Sequence, residues 1–136
     1  PEEKKLAFFA GGIGITPCMS MIRTLHAEKS SFPVTLFYGN NSEEEMVFRE
    51  EIDRIAESGF PSLKVIHVLR FTPEGWKGEK GFVDIDVIKR HLGKPGPETG
   101  CYVVGPPPFL SLVTKSLRGL GVKEKRLHME VFSFID

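Results

Sequence analysis

The chain has 136 residues, of which 40% are hydrophobic, with 18 basic and 18 acidic side chains. That length suits one folded domain, and the balanced charge leaves no global field to draw nucleic acid or an anionic membrane. No apolar run approaches the ~20 residues of a membrane helix, so membrane insertion is not expected.

The opening residues PEEKK carry charge of both signs with no apolar stretch behind them, unlike a signal peptide. Cys18 and Cys101 form neither a CxxC nor a disulfide framework. Two free thiols fit a reducing compartment, and a cytoplasmic location is expected. The first residue is Pro1, and the chain is read as a possible fragment.

In chain order, Leu6-Ala7-Phe8-Phe9-Ala10 is a continuous apolar run, as in a strand covered on both faces. From Pro17, placed at the first helical position, Met19, Ile22 and Leu25 recur at helical spacing toward Glu28. Val34–Tyr38 is a second strand. Ser42 and Glu45 match a capping box for a helix burying Phe48, Ile52 and Ile55 and ending at Ser58-Gly59. Leu63–Leu69 is a third strand, and Phe71–Gly81 reads as loop. Asp84 caps a short helix through Leu92, and Cys101–Val104 is a fourth strand. A helix follows Pro108 as far as Gly119–Gly121, and Arg126–Phe132 alternates as a last strand. Such alternation implies a parallel sheet with helices on both faces, in one domain over residues 1–136.

Three strand ends break abruptly. Gly11-Gly12-Ile13-Gly14-Ile15-Thr16-Pro17 follows the first strand, and a helix opening there offers amides and a positive dipole end to an anion. Gly12 and Gly14 have no Cβ to bar a ligand or a positive φ. The turn is neither a GxGxxG fingerprint nor a Walker A loop, and a tight turn without a ligand remains the alternative. Gly105-Pro106-Pro107-Pro108 follows the fourth strand and reads either as a second ligand edge or as a stiff connection. Tyr38-Gly39-Asn40 ends the second strand, with Asn40 and Ser42 candidates for a ribose or adenine, although Ser42 also serves as a helix cap.

These motifs, GGIGITP, YGN followed by FREEID, GPPP and HMEVF, come in an order that resembles the pyridine-nucleotide-binding domain of the ferredoxin–NADP⁺ reductase family. The resemblance spans residues 6–132. It implies a five-stranded α/β parallel sheet in the order 3-2-1-4-5, with helices on both faces. It also implies NADH or NADPH as cofactor, with Gly11, Gly12, Gly14, Ile15, Thr16 and Pro17 at the pyrophosphate. Tyr38, Gly39, Asn40 and Ser42 would border the adenosine half, and Gly105, Pro106, Pro107 and Pro108 the nicotinamide side. Thr16, Val104, Glu130 and Phe132 fall along the hydride path. Many members carry Cys where Val104 stands, and four residues follow Phe132.

The family also places a flavin-binding barrel ahead of this domain, and nothing in this chain matches it. The implied function is the nicotinamide half of a flavin-dependent oxidoreductase. It would deliver hydride from NAD(P)H to an FAD or FMN held by that missing domain, for onward transfer to a protein or small-molecule acceptor. The alternative is a non-catalytic, nucleotide-binding regulatory module. The acids Glu43, Glu44 and Glu45 after Asn40 oppose a 2′-phosphate and favour NADH, while Arg70 and Lys77 keep NADPH open. The four histidines lack metal-ligand spacing, and no metal site is expected. Cys18 reads as a small helix residue and Trp76 as a loop anchor.

Overall fold

The computed structural model describes residues 2–131. The strands are β1 (Lys5–Gly11), β2 (Pro33–Asn40), β3 (Ser62–Leu69), β4 (Glu79–Lys80), β5 (Thr99–Gly105) and β6 (Leu127–Val131). The helices are α1 (Ile15–Ala27), α2 (Arg49–Ser58), α3 (Ile85–Leu92) and α4 (Pro107–Gly119).

All neighbouring strands pair in parallel, in the order β4-β3-β2-β1-β5-β6. The expectation of five strands in the order 3-2-1-4-5 is therefore corrected: among the described residues the sheet has six strands in the order 4-3-2-1-5-6. The additional strand lies inside the segment read as loop. Two residues carry no hydrophobic period. Glu79 and Lys80 become a strand because they pair with Val68 and Leu69 and because the Trp76 indole donates to the Glu79 carbonyl at 3.0 Å.

Alternation along β1 sends Ala7 and Phe9 to one face and Phe8 and Ala10 to the other. Phe9 stacks on Phe37 at 4.9 Å beneath α3 and α4. Phe8, Leu36 and Tyr38 pack against Ile15, Met19 and Ile22 of α1 and Ile52 and Ile55 of α2. Burying each such aromatic side chain contributes about 1.5–3 kcal/mol before its ordering cost. The sheet is thus the middle of three layers, and all its strands end at one edge.

Three local expectations change. α1 begins at Ile15, so Pro17 holds its third position, still within the first turn where an amide is dispensable. Ser42 starts no α-helix; Glu43–Glu45 forms a 3-10 turn, and α2 begins only at Arg49, because Phe48 adopts φ 59°. That kink turns Phe48 outward, 37% exposed, while Ile52 and Ile55 stay buried. Asp84 does cap α3, accepting from the Val87 amide at 3.0 Å.

Glu79 also ties β4 to α3. Its carboxylate accepts from Arg90 at 2.8 Å and from His91 at 2.6 Å, which holds its pKa at about 2, against an ordinary 4.5. A carboxyl depressed on folding adds stability above pH 4.5, and that stability is lost as pH falls through 2. The melting temperature of the native chain is expected to drop further across that window than that of Glu79→Gln. Parallel curves for the two would show that the cluster contributes nothing.

Candidate functional site

At the carboxyl edge, β2, β1 and β5 lie side by side. Gly11 of β1 is in register with Gly39 of β2, and Ala10 with Val104 of β5. Three neighbouring strands therefore carry a glycine at one level of this edge: Gly39, Gly11 and Gly105. The reason is a side chain. A Cβ on Gly11 would lie 2.6 Å from the Phe109 ring, one on Gly105 2.7 Å, and one on Gly39 3.2 Å. Phe109, from the first turn of α4, covers all three ends and fixes that helix to the sheet.

The β1–α1 turn divides its glycines by role. Gly14 has φ −60°, which any residue accepts, but a Cβ there would fall 2.2 Å from the Val104 carbonyl oxygen. Its bareness lets the turn press against the end of β5. Gly12 has φ +54°, and a Cβ there meets nothing within 4 Å. Only at Gly12 does the missing side chain face open space, as the approach of a ligand to the backbone requires.

The two proline- and glycine-rich signals are thus in contact. Gly14 abuts Val104 and Gly105, and α1 and α4 start next to each other. Neither helix has a side-chain cap or an acidic residue in its first turn. Pro106 is the extended residue before α4, and Pro107 and Pro108 are its first two helical residues, all three exposed. By contrast, the first turn of α2 holds Glu50 and Glu51, and α3 is capped by Asp84. The partial positive charge at the ends of α1 and α4 is left for an anion. Ile15 is fully buried, Thr16 is exposed and Pro17 partly so.

On the β2 side, Tyr38 is buried, and its hydroxyl accepts from the Val47 amide at 3.1 Å. Burial pushes the Tyr38 pKa up, and the Val47 contact partly offsets this. Asn40 is only 9% exposed and lies beside that hydroxyl, yet neither its Oδ1 nor its Nδ2 has a hydrogen bond of acceptable geometry. Ser42 bonds Glu45 at 3.4 Å and bridges no other element.

On the other side, Val104 is 4% exposed, and Glu130 stands opposite it in register. Both line a groove of about 360 Å³ between α1 and the β5–β6 face, with Pro17, Met21, Tyr102 and His128. Phe132 lies outside the described residues. Burial pushes the Cys18 thiol up to about 12, with Glu130 adding to the effect, so Cys18 is a protonated packing residue.

A larger depression of about 690 Å³ lies elsewhere, between the β3 edge and the Trp76 loop. Glu43 and Lys77, weighed for cofactor choice, line it, but none of the residues expected at the pyrophosphate, adenosine or nicotinamide does. Among the described residues no cluster of three or more His, Cys, Asp and Glu side chains is placed to hold a metal.

Sequence reasoning missed Phe109. Its signal was present, as three glycines near strand ends and one aromatic after the prolines. Nothing in the sequence shows that a side chain, and not a ligand, fills the space above those glycines.

A doubly wound parallel sheet with two uncapped helix starts meeting at its carboxyl edge defines the class of α/β dinucleotide-binding domains. The family model for the oxidoreductase NAD-binding domain matches residues 8–115. NADH-cytochrome b5 reductase 1 of Lodderomyces elongisporus is 34% identical, over 97% of this chain and 46% of that protein. NADH-cytochrome b5 reductase 2 of Mus musculus is 36% identical, over 81% of this chain and 41% of that protein. The cytochrome b5 reductase domain of Ulva prolifera nitrate reductase superposes with a TM-score of 0.88 at 27% identity, over 96% of this chain and 49% of that one. The chain belongs to the oxidoreductase NAD-binding domain family, and it spans about half the length of the relatives it matches.

Proposed function

We propose that this domain binds NAD(P)H across the glycine edge and presents its nicotinamide to a flavin held by a further domain of the same protein. The observation that carries the reading is the open, positive-φ Gly12 at the joint start of α1 and α4. The pyrophosphate would sit against Gly12 and Thr16, with Gly11, Gly14 and Gly105 shaping the cradle from behind. The adenosine half would border the end of β2 at Asn40, where an unpaired buried amide awaits a polar partner. The nicotinamide would turn toward Val104, Pro106 and Pro107.

The fit extends to the flavin side. The groove lined by Pro17, Val104 and Glu130 adjoins the Gly14–Gly105 contact, so a ring seated there meets a nicotinamide at Val104. Glu3, just ahead of β1, accepts from the Tyr102 hydroxyl at 3.1 Å and from His128 at 2.7 Å beside the same groove. A domain attached ahead of β1 would reach this face first. Hydride chemistry belongs to the two cofactors; this chain supplies binding, orientation and exclusion of water. Val104 would pack against the ring without a polar contact, and Glu130 places one carboxylate among the residues that line the groove.

Anaerobic NADH is expected to bleach the visible flavin absorbance of the full-length protein. Saturable nucleotide binding with no bleaching would instead make this a regulatory module. A narrower test falls on Asn40. Because its amide is unsatisfied, Asn40→Ala is expected to change the melting temperature little while weakening NADH binding about five-fold, the worth of roughly one hydrogen bond. Unchanged affinity would remove Asn40 from the site.

A further inference from the structure

One ionic cluster lies directly beneath the proposed hydride path, on whose reading this inference rests. In the β5–β6 register Val104 stands opposite Glu130, and two residues earlier Tyr102 stands opposite His128. Side chains two apart share a face of a sheet, so Tyr102 and His128 form the next tier, about 6–7 Å toward the amino ends of the strands. All four residues line the same groove. The Tyr102 and His128 rings are stacked, with centres 4.3 Å apart.

What fixes that pair comes from ahead of β1. Glu3 Oε1 accepts from the Tyr102 hydroxyl at 3.1 Å, and Oε2 accepts from His128 Nε2 at 2.7 Å. Arg126 Nη1 lies 3.8 Å from the same Oε2. Burial first, and then the Glu3 carboxylate, pushes the Tyr102 pKa up, so its hydroxyl keeps the proton that it donates. The seat is shaped for a carboxyl group, because a side chain at Gly100 would displace it. Beside it the Lys4 amide donates to the Glu98 carbonyl at 2.7 Å, so backbone and side chain together tie this segment to the start of β5.

We propose that Glu3 is a positioning residue for hydride transfer: it latches the segment ahead of β1 to the Tyr102–His128 tier, and so sets the flavin domain that precedes this segment against the Val104–Glu130 tier. Charge-assisted bonds from two stacked rings, with an arginine behind them, leave the entering chain little freedom. A loose entry would let the flavin and nicotinamide rings drift apart, and a misplacement of about 1 Å between reacting groups lowers a rate by about a hundred-fold. Neither hydrogen-bond partner of the Glu3 carboxylate is among the residues proposed to hold the nucleotide, so the latch acts on the rate and not on NADH affinity.

The test is anaerobic stopped-flow reduction of the flavin in the full-length protein over a range of NADH concentrations. Native protein, Glu3→Ala, Tyr102→Phe and the double variant are compared at equal flavin content. Glu3→Ala is expected to lower the limiting rate about ten-fold or more and to leave the half-saturating NADH concentration within about two-fold of native. Tyr102→Phe removes one donor and keeps the ring, and a fall of about three-fold is expected. The double variant is expected to be no slower than Glu3→Ala, because both changes open one latch. A native limiting rate in either single variant overturns the inference. So does a double variant slowed by the product of the two single factors, which would mean that the two residues act independently. If NADH fails to reduce the flavin of the native protein, the functional reading falls, a result distinct from variants that match a working native protein.

Discussion

Gly14→Ala is expected to destabilise the chain by about 3 kcal/mol, because the added methyl meets a backbone carbonyl that cannot rotate aside. The clash distance is 2.2 Å to the Val104 oxygen. Relief requires the β1–α1 turn to lift from β5, which separates the two helix starts and takes the nucleotide cradle with it. Gly12→Ala is the contrasting change. It meets no neighbour within 4 Å and costs only the left-handed backbone penalty at φ +54°. That penalty is about 1–2 kcal/mol. Its methyl stands where the pyrophosphate would approach, so NADH affinity is expected to fall about ten-fold or more while the fold persists. Denaturant unfolding and calorimetric titration of both variants check this. Equal destabilisation of the two, or undiminished binding by Gly12→Ala, would contradict the division of roles.

Phe109→Ala carries the second large effect. Its ring covers Gly11, Gly39 and Gly105 at once, and truncation leaves a void over three strand ends that glycines cannot fill. A loss of about 3 kcal/mol is expected, with α4 loosened at the end that borders the site. The same packing predicts coupling. Gly11→Ala alone forces its methyl to within 2.6 Å of the ring, but in a Phe109→Ala background that methyl occupies vacated space. The double variant should therefore be more stable than the sum of the two single losses implies, by 1 kcal/mol or more in a double-mutant cycle (roughly the range for residues in contact). Strict additivity would mean that Phe109 does not rest on Gly11.

Much of the architecture was legible because the long strands carry dense apolar runs. Phe8-Phe9-Ala10 and Leu36-Phe37-Tyr38 are buried on both faces, and only a covered sheet accommodates that. The glycine turn and GPPP were legible as breaks, and their shared edge follows from parallel topology. Where reading failed, the determinants lay outside the local sequence. β4 exists through its pairing with Val68 and Leu69, which its two residues do not encode. The helix start at Ser42 looked sound as a capping box, yet the left-handed Phe48 delays α2 by a turn and a half, and the reciprocal Ser42–Glu45 contact survives only as a 3.4 Å side-chain bond. The glycines showed where space was needed but not what fills it. For Gly11, Gly39 and Gly105 it is Phe109, for Gly14 a carbonyl, and for Gly12 open solvent.

The central claim is that a nucleotide pyrophosphate rests on the backbone where β1 passes into α1. Amide chemical shifts recorded while the chain is titrated with NADH test it most directly. The account predicts the largest saturable changes at Gly12–Thr16, with smaller ones at Gly39, Asn40 and Gly105. Saturable binding that leaves Gly12–Thr16 unmoved, and shifts instead the residues around Trp76 and His67, would contradict it.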